Sequence, residues 1–198
     1  MLRTLALALT LAFTAIPASA QNTERAIFAG GCFWCVESDF DKVGGVISTT
    51  SGYIGGQNAN PTYENHPGHR EAVEIVYDPG RVSYEALLSA FFRSVDPTDG
   101  GGQFCDRGHE YSTAVYAVGD AQLAAARNAK AEATQALGGA QLATEIVPAP
   151  QFWPAEEYHQ DYYTKNPLRY RYYRSACGRD NRVKEVWGSE AMAGIKGS

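Results

Sequence analysis

The segment 30–37 constrains the fold of this chain more than any other, because it predicts a strand that turns directly into a helix. The apolar run 26–29 is typical of a buried strand, and the two glycines that follow it permit a sharp turn. From Cys32 onward, apolar residues recur at helical spacing. We therefore expect Cys32 at a helix N-terminus, where free backbone N–H groups and the helix dipole favour a thiolate over a thiol. A cysteine in this setting is a candidate nucleophile.

The first twenty residues are typical of a secretory signal peptide, 1–20. Arg3 precedes an almost wholly apolar stretch, 5–16, and Pro17-Ala18-Ser19-Ala20 supplies small residues at a cleavage site. Gln21 follows the expected cut, where a lipoprotein would need a cysteine. We therefore expect an exported protein, located in the bacterial periplasm, without stable membrane insertion. An uncleaved N-terminal anchor is the alternative.

The charge balance of the chain excludes some classes of partner. The 198 residues carry a net charge of −5, from 17 basic and 22 acidic side chains. No block of basic residues interrupts this acidic balance, so nucleic acid and anionic membrane surfaces are poor partners. The length remaining after the signal suits one domain, 21–198, with its own core. We expect this domain to be a monomer.

Cysteine usage indicates redox chemistry. The four cysteines are Cys32, Cys35, Cys105 and Cys177. An even number in an exported protein is compatible with two structural disulfides, but a chain of this size does not need them. Cys32 and Cys35 form a C-x-x-C motif, which thioredoxin-like oxidoreductases and zinc sites share. No second pair supplies further zinc ligands, and the histidines show no metal-binding spacing, so we predict neither a metal nor another cofactor.

Strands and helices alternate along the rest of the chain. We predict strands over 46–54, 72–77, 112–118 and 142–147, and helices over 83–95, 120–137 and 154–166. Ser83 and Asp120 are the expected N-caps, and Pro154 is expected at a helix start. The predicted fold class is α+β, a small mixed or antiparallel sheet with helices packed against it. The final segment, about 168–198, is rich in Tyr and Arg and is expected to be a mobile tail.

A series of motifs resembles A-type peptide methionine sulfoxide reductases, in the order in which they occur in that family. The motifs are Gly31-Cys32-Phe33-Trp34, Ser51-Gly52-Tyr53, Asn60-Pro61-Thr62-Tyr63, Gly68-His69 with Glu71-Ala72-Val73, Asp78-Pro79, Ser83-Tyr84-Glu85, Asp96-Pro97, and Pro154-Ala155-Glu156 with Tyr158-His159-Gln160. They span about 26–167, nearly the whole mature chain. The resemblance implies a two-layer α+β sandwich around a ferredoxin-like unit. It also implies reduction of methionine S-sulfoxide, free or in proteins, with a thioredoxin-like reductant.

The resemblance assigns roles to individual residues. It implies that Cys32 attacks the sulfoxide sulfur and that Glu71 is the acid that protonates or hydrogen-bonds the sulfoxide oxygen. It places Phe33 and Trp34 around the substrate methyl group, and it gives three residues the task of positioning the oxygen and the attacking sulfur: Tyr63, Asp106 and Tyr111. The chemistry agrees, because oxygen is a poor leaving group until it is protonated, and a carboxyl near aromatic rings is desolvated and stays protonated near neutral pH.

Departures from the family pattern leave open which cysteine resolves the sulfenic acid that the first step forms on Cys32. Attack leaves a sulfenic acid on Cys32, which a second thiol converts to a disulfide that an external dithiol reduces. Cys35 stands where the family usually has glycine, Cys105 stands where it often has asparagine, and a common loop cysteine is missing. We favour Cys177 as the resolving thiol, then Cys35, then Cys105.

Two other classes of function compete with this interpretation. A periplasmic dithiol–disulfide oxidoreductase would use Cys32 and Cys35 on unfolded proteins and would have no need for Glu71. A disulfide-stabilised binding protein would lack catalysis, and replacing Cys32 would then harm folding rather than activity.

Overall fold

The computed structural model describes residues 22–195, so the predicted signal peptide lies outside the described residues. The elements in chain order are β1 (Glu24–Ala29), α1 (Phe33–Phe40), β2 (Val46–Ile54), β3 (Arg70–Tyr77), α2 (Tyr84–Phe92), β4 (Gly102–Gln103), β5 (Asp106–Arg107), β6 (Ala114–Ala117), α3 (Asp120–Ala136), β7 (Glu145–Pro148), β8 (Phe152–Pro154), α4 (Tyr162–Lys165), α5 (Pro167–Ala176) and α6 (Arg179–Trp187). Short 3₁₀ turns occur at His109–Tyr111 and Gly188–Glu190. Within these residues no helix is both long enough and apolar enough to cross a membrane.

Six strands form one mixed sheet in the order β7-β6-β1-β3-β2-β8, and β4 pairs with β5 in a separate two-stranded ribbon. All neighbours in the large sheet are antiparallel except β6 and β7, which are parallel. The predicted α+β class is therefore confirmed.

The sheet buries side chains on both faces, which explains the continuous apolar run in β1. Phe28 points toward the main core, where its ring lies 4.9 Å from that of Phe91 in α2. Ile27, the neighbouring residue, belongs to a second cluster that includes Ile54 and Tyr116. Alternate residues of a strand point to opposite faces, so the stretch of β1 that is covered on both sides, 26–29, carries only apolar side chains.

The predicted cap of α2 holds, whereas two other predictions about helix starts are wrong. Ser83 caps α2, since the Ala86 N–H donates to its Oγ at 3.2 Å. Asp120 begins α3 rather than capping it, because Gly119 occupies the N-cap. No helix starts at Pro154, which instead ends β8 opposite Gly52 of β2. β8 is an edge strand, where proline is tolerated because its missing N–H leaves no ladder bond unmade.

The segment expected to be a mobile tail forms α5 and α6 instead, and both helices pack on the body of the protein. Arg174 of α5 forms a 2.8 Å ion pair with the buried Asp39 of α1. The buried Arg179 of α6 donates to the carbonyls of Gly30 and Ser94, each at 3.0 Å. The strong hydrogen bonds that a guanidinium makes in the interior fix this helix beside the turn that carries Cys32.

Candidate active site

Cys32 lies in the turn between β1 and α1, as the sequence predicts. Gly31 has a φ of +84°, and a Cβ there would lie 2.7 Å from the Cβ of Gln103, so only glycine fits this position. Cys32 is the N-cap of α1, and its carbonyl accepts a 3.0 Å hydrogen bond from the Cys35 N–H. The Cys32 side chain is buried, with 6% of the residue exposed.

Glu71 is brought to the same turn by the sheet. It lies near the start of β3, opposite Tyr53 of β2, and only 2% of it is exposed. The Phe33 N–H at the first position of α1 donates to its Oε2 at 2.9 Å. Burial raises the pKa of Glu71 to about 8 and outweighs this hydrogen bond, which favours the carboxylate. The carboxyl group is therefore protonated at neutral pH and can donate a proton.

A small cavity of about 60 Å³ joins the two groups, which is room for the end of one side chain. Its lining residues are Cys32, Phe33, Trp34, Tyr63, Glu71, Asp106, Tyr111 and Tyr173. All but the last of these are predicted site residues, and they come from five separate parts of the chain. Two further predicted residues, Cys35 and Cys177, do not line the cavity.

The apolar wall of the cavity is held rigidly. The Trp34 ring stacks on Tyr162 at 3.7 Å between ring centres, and its indole N–H donates to Nδ1 of His159 at 3.0 Å. The Phe33 ring packs between His159 and Tyr53, with ring centres 4.9 and 5.9 Å away. Fixed aromatic faces of this kind suit an apolar methyl group.

The polar wall offers neutral hydroxyl groups. Burial, and then the nearby Glu71, raise the pKa of Tyr63 and Tyr111, so both stay protonated and can donate hydrogen bonds. The backbone N–H of Tyr63 donates at 2.9 Å to Glu156, whose other carboxylate oxygen accepts a 2.9 Å bond from Tyr53. Glu156 thereby holds the Tyr63 loop against the sheet.

The protonation of the cysteine pair differs from the expectation for a helix N-terminus. Burial raises the pKa of Cys32 well above its ordinary value, with the adjacent Cys35 and Glu71 adding to the effect. The hydrogen bond from Cys32 lowers the pKa of Cys35. Desolvation in this closed cavity opposes the preference for a thiolate that is expected at a helix N-terminus. Tyrosines from α4 and α5, Tyr162 and Tyr170, enclose the pair.

The other two cysteines form a disulfide, which the sequence did not predict. Cys105 and Cys177, 72 residues apart, are bonded to each other, whereas Cys32 and Cys35 are free thiols. Cys105 is exposed and Cys177, the C-cap of α5, is half-buried. Cys177 Sγ lies 3.8 Å from Oδ2 of Asp106, a residue that also lines the cavity. The disulfide therefore lies beside the cavity.

Tyr173 connects the cavity with the disulfide, and sequence reasoning missed it. Its hydroxyl donates to Oδ2 of Asp106, and burial raises its pKa, with a hydrogen bond to Cys32 adding to the effect. Burial raises the pKa of Asp106. The available signal was the spacing, because Tyr173 precedes Cys177 by four residues and so shares its helix face.

The described residues contain one group of His, Cys, Asp and Glu side chains close enough together for a metal ion: Cys105, Asp106 and Cys177. Two of these three ligand atoms are the sulfurs of the disulfide. They are not thiolates and do not match a thiolate metal site.

Comparison with known proteins gives consistent matches. The family model described as peptide methionine sulfoxide reductase matches residues 24–191. "Peptide methionine sulfoxide reductase MsrA 2" of Rhizobium meliloti is 52% identical over 197 residues, covering 98% of this chain and 99% of the relative. The solved structure of methionine sulfoxide reductase A of Corynebacterium diphtheriae has a TM-score of 0.69 and 35% identity, covering 76% of this chain and 78% of that one. Mxr1 from Saccharomyces cerevisiae in complex with Trx2 has a TM-score of 0.52 and 25% identity, covering 74% and 89%.

Proposed function

This chain belongs to the peptide methionine sulfoxide reductase family and reduces methionine S-sulfoxide to methionine with thiols, and we propose that Cys32 and Glu71 perform the reduction in the cavity between β1, α1 and β3. The observation that carries this assignment is a buried thiol and a protonated carboxyl group that line one small cavity. The aromatic wall of Phe33 and Trp34 receives the methyl group. Three residues on the polar side orient the sulfoxide oxygen and the attacking sulfur: Tyr63, Asp106 and Tyr111.

The first step transfers oxygen from substrate to enzyme. Glu71 donates a proton toward the sulfoxide oxygen, which makes the sulfur electrophilic. The Cys32 sulfur attacks the substrate sulfur and forms a bond to it, while the proton of the Cys32 thiol restores the acid. The hydroxyl group then passes to the Cys32 sulfur as the S–O bond of the substrate and the bond between the two sulfurs break. The net change is that a thiol and a sulfoxide become a sulfenic acid on Cys32 and a methionine. Because the pKa of Cys32 is raised, attack and proton transfer are coupled rather than starting from a free thiolate.

The second step reduces the Cys32 sulfenic acid and forms the Cys105–Cys177 disulfide. The Cys177 thiol displaces water from the sulfenic acid and forms a disulfide with Cys32, and the Cys105 thiol then attacks Cys177 Sγ and frees Cys32. The product is the Cys105–Cys177 disulfide that the structure contains, which supports Cys177 as the resolving thiol. Cys35 is less suited to this role, since it does not line the cavity and packs within α1.

A thioredoxin-type dithiol protein is the reductant we propose for that disulfide. The related Mxr1 has been solved with Trx2 bound, and the exposed Cys105 gives a protein thiol access. The substrates are methionine sulfoxide residues in oxidised proteins and peptides.

We further propose that the enzyme is exported and works in the bacterial periplasm. Residues 1–20, with an apolar stretch and an Ala18-Ser19-Ala20 cleavage sequence, support this. Cell fractionation and N-terminal sequencing of the mature protein test the proposal. A mature chain that begins at Gln21 in the periplasmic fraction is expected, whereas an uncleaved cytoplasmic or membrane-bound chain contradicts it.

The dithiol–disulfide oxidoreductase remains a less favoured alternative. Exchange with unfolded proteins needs an accessible sulfur, yet 6% of Cys32 and 2% of Cys35 is exposed. An insulin-reduction assay tests this alternative, and we expect no activity above that of the Cys32→Ser variant.

A single-turnover experiment tests the proposed route. Fully reduced enzyme receives less than one equivalent of a methionine sulfoxide peptide without reductant, and the disulfides are mapped by mass spectrometry. The wild type should yield methionine and a Cys105–Cys177 bond, Cys105→Ser should stop at Cys32–Cys177, and Cys32→Ser should yield no methionine. A dominant Cys32–Cys35 bond in the wild type would overturn the order of thiols, and methionine production by Cys32→Ser would overturn the nucleophile.

A further inference from the structure

A second cavity is lined by two segments that also supply residues to the active site. Its volume is about 360 Å³, and we call it the outer cavity. One wall is the loop 64–69, which directly follows Tyr63, and the other is the turn 109–110, which directly precedes Tyr111. A side-chain hydrogen bond joins these two tyrosines, which also line the active-site cavity. The outer cavity therefore begins where the tyrosine wall of the active site ends. Its lining residues are Glu64, Asn65, His66, Pro67, Gly68, His69, His109 and Glu110.

The outer cavity carries negative charge that the protein does not neutralise. Two of its lining residues are Glu64 and Glu110, and within residues 22–195 no lysine or arginine lines it. Neither carboxylate belongs to an ion pair among those residues. Gly108 has a φ of +124°, and a Cβ there would lie 2.5 Å from Oε2 of Glu110, so glycine leaves the space that this carboxylate occupies. Two unneutralised carboxylates in one cavity favour a cationic ligand.

A buried histidine in the same wall adds an unused hydrogen-bond acceptor. His69 is 2% exposed, and burial lowers its pKa, so its ring is neutral. Its Nε2 donates to the carbonyl of Asn58 at 3.0 Å, which leaves Nδ1 as the acceptor. Nδ1 has no hydrogen-bond partner within the described chain, and it lies on the ring edge away from Asn58. The polar groups of this wall therefore suit a ligand that donates hydrogen bonds.

A single metal ion does not fit this arrangement. In the part of the chain that the structure describes, the carboxylates and imidazoles of the outer cavity do not come close enough together to bind one ion. A longer cationic group, such as the ammonium or guanidinium of a side chain, matches carboxylates on opposite walls better.

A peptide substrate brings such a group to this position. The active-site cavity of about 60 Å³ takes only the end of the methionine sulfoxide side chain, so the peptide backbone stays outside and its next residues cover the rim. Residues of an extended peptide are about 3.3 Å apart, and lysine and arginine have long flexible stems. The rim is electrostatically close to the reaction, because the charge of Glu110 adds to burial, the main cause, in raising the pKa of Glu71.

We propose that the outer cavity is a substrate subsite that binds the lysine or arginine side chain one or two residues from the methionine sulfoxide, with Glu64 and Glu110 as its charged partners. The proposal rests on the proposed function and adds a substrate class to it. The enzyme prefers methionine sulfoxide in basic segments of polypeptides over the same residue in neutral segments.

The test measures a selectivity ratio. Short peptides with one methionine sulfoxide carry either lysine or glutamine at one of the two positions before or after it, and kcat/KM is measured for each with dithiothreitol as reductant. The assay runs at about pH 7.5, roughly one unit above the ordinary pKa of histidine. Taking the ratio of the lysine to the glutamine peptide cancels any effect of a variant on the chemical step.

The variants differ only in where charge is removed. The test variant is Glu64→Gln with Glu110→Gln, and the exposed Glu64→Gln is also made alone. The matched control is Glu85→Gln with Glu132→Gln, which changes the net charge equally. These two exposed glutamates line a separate cavity between α2 and α3 that shares no lining residue with the active-site cavity.

We expect a wild-type ratio of about threefold to fivefold on one side of the methionine sulfoxide, smaller at high salt. The ratio should fall to about one in the test variant, fall partly in Glu64→Gln and stay unchanged in the control. A wild-type ratio near one at all four positions overturns the proposal. So does a ratio that survives in the test variant, or one that falls equally in the control, which would assign the preference to the overall acidity of the protein. A wild type that reduces none of the peptides would instead refute the proposed function.

Discussion

The sulfoxide cavity and the Cys105–Cys177 disulfide lie side by side, yet they have opposite environments. Cys32 and Glu71 are buried, with 6% and 2% exposure, whereas Cys105 is exposed. Burial keeps Glu71 protonated, which the attack on a sulfoxide requires, but the same burial closes the site to a protein reductant. One cysteine cannot satisfy both needs. Two sites with separate sulfurs, connected by Asp106 and Tyr173, satisfy both needs.

The strongest test of the buried site is Glu71→Gln, which keeps the shape of the side chain but removes its acidity. We expect kcat/KM for a methionine sulfoxide peptide to fall by about 10² to 10⁴, the usual contribution of a positioned acid. The wild-type rate should decline as pH rises through about 8, where Glu71 ionises, and this decline should be absent from the variant. A pH–rate profile with stopped-flow detection checks both statements. An identical decline in the variant would assign it to another group.

The same substitution measures what burial of the acid costs in stability. The folded pKa of Glu71 is about 8 against an ordinary 4.5, so the folded state binds an extra proton between these values. Its contribution to stability is full below pH 4.5 and is lost as pH rises through 8. Between pH 5 and 8 we expect the wild type to lose roughly 3 kcal/mol relative to Glu71→Gln. Urea denaturation at several pH values measures this, and parallel pH curves for the two proteins would contradict it.

Tyr173→Phe tests the connection between the two sites. The change removes one hydroxyl that hydrogen-bonds Asp106 and contacts Cys32 but leaves the ring that packs on Trp34. We expect about a tenfold loss in the rate of methionine formation, the value of one hydrogen bond to a charged group. Single-turnover chemical quench measures this step. Tyr172→Phe, a neighbouring exposed tyrosine, is the control and should match the wild type.

Cys35→Ala should have the smallest effect, and it tests whether the Cys35 thiol takes part in forming the Cys105–Cys177 disulfide. Because Cys35 does not line the cavity, the mapped product should remain Cys105–Cys177. Burial raises the pKa of Cys32 most, and the hydrogen bond and charge of Cys35 raise it further, so removal of Cys35 should speed alkylation of Cys32 by iodoacetamide about threefold at pH 8. Slower formation of the Cys105–Cys177 bond in this variant would instead make Cys35 part of the relay.

Local structure was predicted well where the residues of one short segment determine it. The turn at Gly31 and the start of α1 follow from glycine freedom and apolar spacing within a few residues. The helix predicted from Pro154 failed, because proline at a helix start and proline on an edge strand look alike until the neighbouring strand is known. Helices α5 and α6, in the segment expected to be a mobile tail, were missed for a similar reason, since the hydrogen-bond partners of the buried Arg179 lie 149 and 85 residues away in sequence.

The sequence determined the chemistry of the site through its resemblance to a known family, which implies the roles of the thiol, the carboxylic acid, the aromatic wall and the polar residues that the cavity brings together. Only the tertiary structure decided the protonation of Cys32, the partner of Cys177 and the part played by Tyr173. The physical reason is that residue type and spacing are local. Desolvation of a thiol and the formation of a disulfide between cysteines 72 residues apart depend on how distant segments of the chain pack together.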